Sequence, residues 1–254
     1  YEILPTSRHA KGKPLVNLHG LSAAIEEKEK IVSALAIPED VDAEGAIEDA
    51  FIVFATKRGL VKRTALSNLA SIRTTGIIAL KVDQRKDDLL TDVALISGRE
   101  KTDIILSSKN GKAILFKEGE LREMGRYAAG VRGMRLDTGD EIASIDAIDL
   151  NTSNSTSRLV IITAKGYGKR TKLDAYRETH RGGKGVISIR GAERNGDVVC
   201  IRQVENEDEL MIATSDNMVT KIAVRNIPVQ GRNTQGVRVM QVKPGERIVA
   251  VDVV

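Results

Sequence analysis

Thr179-His180-Arg181-Gly182-Gly183-Lys184-Gly185-Val186-Ile187-Ser188-Ile189-Arg190 is a basic, glycine-rich turn that runs directly into a short strand. Weaker copies of this pattern recur along the chain, and in each copy a glycine leads the strand. The strand-leading glycines fall at positions 12, 76, 130, 185 and 236, with spacings of 64, 54, 55 and 51 residues. A strand-based period near fifty residues is typical of blade-type repeats.

A β-hairpin lies between consecutive strand-leading glycines. Its turns centre on Gly59, Gly111, Gly166 and Asn217, residue types that tolerate the positive φ of tight turns. The first arm, for example residues 159–163, is nearly all apolar, so we expect it to be buried on both faces. The second arm, for example residues 167–171, mixes apolar and basic residues, so we expect one solvated face.

An apolar closing strand follows each glycine-led strand, at 31–35, 93–96, 142–145, 198–201 and 248–251. Each unit therefore contains two hairpin arms, a glycine-led strand and a closing strand. The sequence predicts an all-β, propeller-like ring of four-stranded blades in a single domain, residues 1–254. The repeats are approximately 1–47, which is partial, 48–100, 101–155, 156–206 and 207–254.

Composition excludes several classes of protein. There is no apolar run of about 18 residues, so we expect no membrane span. The single Cys200 fits a reducing compartment, and Tyr1 opens in mid-pattern, as if the chain were cut from a longer one. The net charge is +4 and aromatic residues are only 3% of the chain. Such a chain is better suited to a partner recognised through phosphates than to stacking on single strands.

No catalytic, metal or cofactor site is visible. His9, His19 and His180 have no serine or cysteine partner in a nucleophile-like context. The run Gly182 to Gly185 lacks the spacing and the Lys-Ser/Thr pair of a P-loop, and no Cys/His spacing indicates zinc.

The basic residues are more informative because they repeat in phase. Arg8, Arg126, Arg181 and Arg232 stand four residues before the strand-leading glycine, and Arg73 stands three before it. A ring of blades would place them at intervals around one rim, which matches bent duplex DNA bound through its phosphates with weak sequence preference. The rival interpretation is a propeller used as a protein-interaction platform. The predicted DNA-binding residues are Arg8, Lys11, Lys13, Arg63, Arg73, Lys81, Arg126, Arg132, Arg135, Lys169, Arg170, Arg181, Gly182, Gly183, Lys184, Gly185, Arg190, Arg232 and Arg238.

The run Arg181-Gly182-Gly183-Lys184-Gly185 resembles the gyrase A box, Gln-Arg-Arg-Gly-Gly-Lys-Gly. The stretches 166–171, 231–237 and 7–17 also resemble the C-terminal domain of gyrase A, which is part of a type IIA topoisomerase. The resemblance implies a β-pinwheel of six blades, of which about five are visible here. The box-like string lies in a later unit than the family's box and has Thr179-His180 where the box has Gln-Arg, so we expect the missing part, with the true box, upstream of Tyr1.

The same resemblance implies the function. The domain would be non-catalytic and would bend and wrap double-stranded DNA, enabling ATP-dependent negative supercoiling by the holoenzyme in the bacterial cytoplasm. Its partners would be DNA, the gyrase A N-terminal cleavage domain and gyrase B. The catalytic tyrosine, the ATPase and the use of ATP and Mg²⁺ would lie outside this domain, which needs no cofactor of its own. The equivalent domain of topoisomerase IV is the close alternative.

Overall fold

The computed structural model describes residues 31–37, 50–70, 77–83, 87–96, 101–151 and 157–254. Helical structure in these residues is limited to α1 (Ser67–Ala70), α2 (Ala192–Asn195) and three short 3-10 turns. No helix there is long and apolar enough to cross a bilayer. The strands are β1 Phe51–Thr56, β2 Leu60–Ala65, β3 Leu90–Ile96, β4 Thr102–Ser108, β5 Lys112–Lys117, β6 Val131–Arg132, β7 Ile142–Asp149, β8 Arg158–Thr163, β9 Tyr167–Lys172, β10 Val186–Ile187, β11 Val198–Val204, β12 Glu209–Thr214, β13 Val219–Ala223, β14 Val237–Arg238 and β15 Ile248–Val253.

These strands form antiparallel sheets that are the blades of a propeller-like ring, as predicted. Blade 1 has the strand order β3-β1-β2-β6, blade 2 β7-β4-β5-β10 and blade 3 β11-β8-β9-β14. Blade 4 has the order β15-β12-β13 within the described residues. The predicted hairpins are the central pairs of each blade, and their turns lie at the predicted glycines and at Asn217, which has φ 65°.

The glycine-led strand does not join the blade of its own repeat, so the predicted composition of the blade was wrong. β6 pairs with β2, β10 with β5 and β14 with β9, each time in the blade of the preceding repeat. The reason is the segment that comes before each of these strands. It runs parallel to the preceding repeat's second hairpin arm, as in the bridge between Arg63 and Glu123, and delivers the next strand there. Neighbouring blades therefore interlock.

The closing strands lie at the inner edge of the blades. β3, β7, β11 and β15 line a common central cavity of about 930 Å³, together with residues 32–36. Two other predicted strands were wrong. Residues 31–35 and 77–81 are described but form no strand, and Ile31, Val32 and Ile78 are exposed.

The hydrophobic core is divided into clusters that lie between neighbouring blades. One joins blades 1 and 2 around Phe116 and Ile104, and another joins blades 2 and 3 around Ile105 and Ile161. Blades packed face to face leave no solvated face on the second hairpin arm. The expected solvated face was therefore wrong for β2 and β9, whereas β13 at the end of the described ring is largely exposed.

The turn glycines fasten each repeat to the next. The Gly166 carbonyl accepts hydrogen bonds from the N–H groups of Val239 at 2.8 Å and Met240 at 3.2 Å. Gly59 and Gly111 make the equivalent pairs of bonds with 133–134 and 188–189. A Cβ at Gly166, where φ is 83°, would lie 2.3 Å from the Met240 carbonyl oxygen. Glycine is required here by the close approach of the next repeat as well as by the turn.

A polar network ties three blades together at the inner edge. The Asp92 carboxylate on β3 accepts hydrogen bonds from the Ser144 hydroxyl at 3.1 Å and from the Arg202 guanidinium at 3.2 Å. Asp146 on β7 accepts the Gln203 N–H at 2.7 Å. Burial raises the pKa of Asp146 to about 6, against a smaller opposing effect of Arg202. The Arg202 guanidinium thus contacts Asp92 and acts on Asp146 through its charge alone.

Replacing Gly166 with Ala tests the fastening between repeats. Both the positive φ and the contact with Met240 oppose a side chain, so the free energy of unfolding should fall by about 2 kcal/mol or more. Gly139→Ala is the matched control, because Gly139 has φ 79° and a Cβ added there would meet nothing within 4 Å. It should cost only about 1 kcal/mol. Equal losses in urea unfolding would show that the close approach is unimportant.

Asp146→Asn tests the inner network through its pH dependence. Because the pKa of Asp146 is raised on folding, the folded protein binds the extra proton between about pH 4 and pH 6. Stability due to this group is therefore present at low pH and is lost as the pH rises through 6. We expect Asp146→Asn and the native protein to be equally stable near pH 4, and the variant to be more stable at pH 7 by about 1–3 kcal/mol. Chemical unfolding at several pH values measures the difference, and a gap that does not change with pH would contradict it.

Candidate nucleic-acid interface

Three basic loops lie side by side at the outer edge of the blades. We name them rim loop 1 (residues 125–135), rim loop 2 (180–190) and rim loop 3 (231–240). The Gly182 N–H donates to the Gly133 carbonyl at 2.6 Å, and the Arg135 N–H donates to the Gly183 carbonyl at 2.8 Å. The Arg190 N–H donates to the Thr234 carbonyl at 2.9 Å. The three loops therefore form one continuous edge.

The phased arginines connect neighbouring loops. The Arg232 guanidinium donates through Nε to the Ala175 carbonyl at 2.9 Å and through Nη1 to the Ile187 carbonyl at 2.5 Å. Arg181 makes the equivalent bonds one repeat earlier, to the carbonyls of Glu120 at 3.2 Å and Arg132 at 3.0 Å. Carbonyl partners fix the direction of each side chain without neutralising its charge.

The remaining predicted residues of the rim are mostly exposed. Arg126 stacks over the Tyr127 ring at 5.5 Å, and Arg238 donates to the Tyr167 hydroxyl at 3.1 Å. Arg190 donates to the Asn233 side chain, and Lys81 is exposed on segment 77–83. Within the described part of the chain, no carboxylate lies within ion-pair distance of Arg126, Arg132, Arg135, Arg181, Arg190, Arg232 or Arg238.

Three predicted DNA contacts are corrected by burial or pairing. Lys169 is 0% exposed and Arg170 is 6% exposed. Arg170 donates inward to the Ile227 carbonyl at 2.5 Å and to the Asn206 side chain at 2.5 Å. Arg63 is paired with Glu118 and stacks on the Phe51 ring at 4.4 Å. These side chains are buried or paired within the protein and are not available to a phosphate in this structure. Arg8, Lys11, Lys13 and Arg73 lie outside the described residues.

The box-like rim loop 2 is more occupied than its sequence indicates. The Glu120 carboxylate accepts the Arg181 backbone N–H at 3.1 Å and faces His180 Nδ1 at 3.2 Å. Lys184 lies 3.9 Å from the Asp137 carboxylate. The Gly182 N–H is already bonded, as described above. Gly185, with φ 68°, is required by packing, because its Cβ would lie 2.4 Å from the Ala113 carbonyl oxygen.

Arg194 is a rim cation that sequence reasoning missed. Its guanidinium lies 4.4 Å from the centre of the Tyr167 ring and donates to the Gln235 carbonyl at 2.9 Å. Arg194 and Arg238 therefore both lie against the Tyr167 ring. Arg194 belongs to the short helix α2 and not to the glycine-led pattern, so the repeat phase contains no signal for it.

Neither a metal-binding group nor a reactive thiol is found among the described residues. They contain no group of three His, Cys, Asp or Glu side chains that could hold a metal ion. Burial raises the pKa of the Cys200 thiol to about 12, which keeps it protonated and unreactive. The arrangement that remains is a continuous cationic edge, suited to a polyanion.

The sequence was compared with known families and proteins. The family described as DNA gyrase C-terminal domain, beta-propeller, matches residues 1–38, 50–97, 102–149, 157–200 and 208–254. The DNA gyrase A protein of Staphylococcus aureus strain MRSA252 is 42% identical over 242 residues, which are 95% of this chain and 25% of that protein. The gyrase A protein of strain NCTC 8325 gives the same values. The chain thus spans about a quarter of the length of these relatives.

Solved structures with the same fold were also found among type IIA topoisomerase domains. The C-terminal domain of DNA topoisomerase IV aligns with a TM-score of 0.78 and 25% identity, covering 96% of this chain and 70% of that one. A DNA gyrase A C-terminal domain aligns with a TM-score of 0.72 and 23% identity, covering 82% and 67%, which supports the fold alone. The five family matches also follow the five repeats. The chain therefore belongs to the DNA gyrase C-terminal domain family.

Proposed function

We propose that this domain binds duplex DNA along its rim loops and bends it around the outer edge of the ring. The observation that carries the proposal is the continuous edge on which arginines of successive repeats have no carboxylate partner among the described residues. The domain itself has no catalytic role and needs no cofactor. It acts as the DNA-wrapping part of a gyrase A protein.

The physics of the rim favours phosphate-led binding. Each cation that meets a phosphate releases counterions from the DNA, and this release drives association at low salt. Bending a site of 20–30 base pairs costs on the order of 1–6 kcal/mol, which several such contacts can offset. Guanidinium groups that are fixed by carbonyls, as in Arg181 and Arg232, lose little conformational freedom on binding. None of these contacts selects a base, so sequence preference should be weak.

The holoenzyme is proposed from the relatives. Identity of 42% to this part of the gyrase A proteins supports assembly with the cleavage domain and gyrase B in a bacterial cytoplasm. That assembly would use ATP and Mg²⁺ to introduce negative supercoils into DNA wrapped by this domain. The catalytic tyrosine and the ATPase would lie in the other domains.

Two alternatives remain. The topoisomerase IV domain is favoured by the TM-score of 0.78, although the box-like string 181–185 and the identity to gyrase A oppose it. A protein-interaction platform would explain the blades but not the alignment of unpaired arginines at one edge.

The triple variant Arg135→Ala, Arg190→Ala, Arg238→Ala tests DNA binding. Losing three charge-assisted contacts should weaken binding to a duplex of about 30 base pairs roughly tenfold to a hundredfold. The slope of log K against log salt should decrease in size by up to about 2.7. Fluorescence anisotropy at several salt concentrations measures both. Arg225→Ala is the control, because Arg225 is exposed, is paired with Glu207 and lies outside the three rim loops. Unchanged affinity in the triple variant would favour the protein-interaction platform.

The same triple variant in the full-length protein tests the role in supercoiling. Reconstituted with gyrase B, it should supercoil relaxed plasmid negatively at a rate at least about tenfold lower, because less DNA is wrapped. Gel electrophoresis of plasmid topoisomers measures the rate, and Arg225→Ala should behave as the native enzyme. A native enzyme that relaxes and decatenates DNA but never supercoils it would instead support the topoisomerase IV alternative.

A further inference from the structure

Two buried lysines lie directly beneath rim loops. Lys169 on β9 is 0% exposed, and its ammonium donates to the Gly231 carbonyl at 2.7 Å and to the Arg232 carbonyl, with Thr234 also in reach. Lys62 on β2 is also 0% exposed and donates to the Arg126 carbonyl at 2.8 Å. The ammonium of Lys169 is therefore enclosed by the following repeat's loop. That of Lys62 lies between the following repeat's loop and segment 77–83, where it also donates to the Ala79 carbonyl at 2.5 Å.

The two lysines occupy equivalent positions in two repeats. Lys62 and Lys169 each stand three residues after a hairpin-turn glycine. Each binds the carbonyls five and four residues before the strand-leading glycine of the following repeat, which is Gly130 for Lys62 and Gly236 for Lys169. The equivalent position beneath rim loop 2 is Ile114, so packing of the blade does not itself require a lysine.

The burial of these lysines is unfavourable in isolation. Burial lowers the pKa of Lys62 and of Lys169 to about 8, and the nearby Arg232 contributes to the shift at Lys169. Both are still charged at neutral pH. An apolar side chain of similar volume is often as good or better for stability at such a site. The benefit must therefore lie in what the ammonium does to the loop.

The ammonium determines the orientation of the peptide groups in the loop. In a trans peptide the C=O and the following N–H point in opposite directions. The inward carbonyls of Gly125 and Arg126 therefore direct the N–H groups of Arg126 and Tyr127 away from Lys62. In rim loop 3 the same argument applies to the N–H groups of Arg232 and Asn233.

These outward N–H groups find no acceptor in the part of the chain that the structure describes, whereas those of rim loop 2 do. Among the described residues, the N–H groups of Arg126, Tyr127, Arg232 and Asn233 have no hydrogen-bond acceptor. In rim loop 2, by contrast, Glu120 accepts the N–H of Arg181, and Gly133 accepts the N–H of Gly182. Adjacent free N–H groups beside an arginine form a concave site for an anion.

We propose that Lys62 and Lys169 are positioning residues that create two backbone phosphate sites, at Arg126–Tyr127 and at Arg232–Asn233. Each site takes one phosphate group of a nucleic-acid backbone through two N–H groups and the neighbouring guanidinium. This inference rests on the proposed DNA binding and gives the three rim loops different modes of phosphate binding. Rim loops 1 and 3 bind phosphate through both backbone and side chains, and the box-like rim loop 2 binds it through side chains alone.

Lys169→Met tests the inference, with Lys62→Met as an independent test in another blade. Methionine fills similar volume without the charge. Lys172→Met is the control, because Lys172 is exposed at the far end of the same strand and loses the same charge. We expect Lys169→Met to weaken duplex binding about fivefold or more and Lys172→Met by less than about twofold.

Amide hydrogen exchange distinguishes positioning from a general loss of stability. In the native domain, bound DNA should slow exchange at Arg232 and Asn233. In Lys169→Met this protection should be lost, while the hydrogen-bonded N–H groups of Val239 and Met240 exchange as in the native domain. Inorganic phosphate alone giving the same protection without DNA would identify a general anion site. Native-like affinity of both methionine variants would overturn the inference, as would DNA protection at Arg232 and Asn233 that persists in Lys169→Met. A native domain that binds no duplex at all would overturn the proposed function itself.

Discussion

The structure depends on one contact between repeats, the hairpin-turn carbonyl that accepts two N–H groups from the next glycine-led strand. Gly59, Gly111 and Gly166 make it with nearly identical distances. The contact requires glycine on one side, because any Cβ would meet the carbonyl of Met134, Ile189 or Met240. It fixes each strand-leading glycine beside the preceding blade, and so fixes the loop before that glycine on the outer edge. The cationic edge is therefore a consequence of how the repeats are joined.

The way in which the repeats are joined also explains why the cations at this edge keep their charge and a fixed side-chain orientation. Backbone carbonyls outside regular structure are abundant where one repeat crosses onto another, and they need donors. Arg181, Arg232 and Lys169 supply those donors. Carboxylate partners would satisfy the cations equally well but would cancel the positive field at this edge. The carboxylates that do approach the rim, those of Glu120 and Asp137, contact residues of rim loop 2.

The hairpins, their turn glycines, the apolar first arms and the alignment of Arg126, Arg181 and Arg232 could be predicted, because each depends on local periodicity. The partner of the glycine-led strand could not, since a period identifies equivalent residues but not which copy they pair with. Lys169 and Arg170 were expected to face solvent because the alternation of residues along a strand describes a single sheet. It does not show that a neighbouring blade covers the other face of that sheet. Arg194 was missed because it lies on α2, outside the repeated glycine-led pattern, and its place near Tyr167 is a tertiary contact.

Net charge would have been a poor guide to this surface. An excess of four positive charges among 39 basic and 35 acidic residues is small, and a mixed distribution would give a weak field. Asp92 and Asp146 lie at the inner edge, while the arginines without a carboxylate partner among the described residues lie at the outer one. The box-like string at 181–185 is the part of this rim with the nearest carboxylates among the described residues. Sequence motif and local charge therefore differ along the rim, and under the proposed function DNA would be held most firmly on either side of the box-like loop.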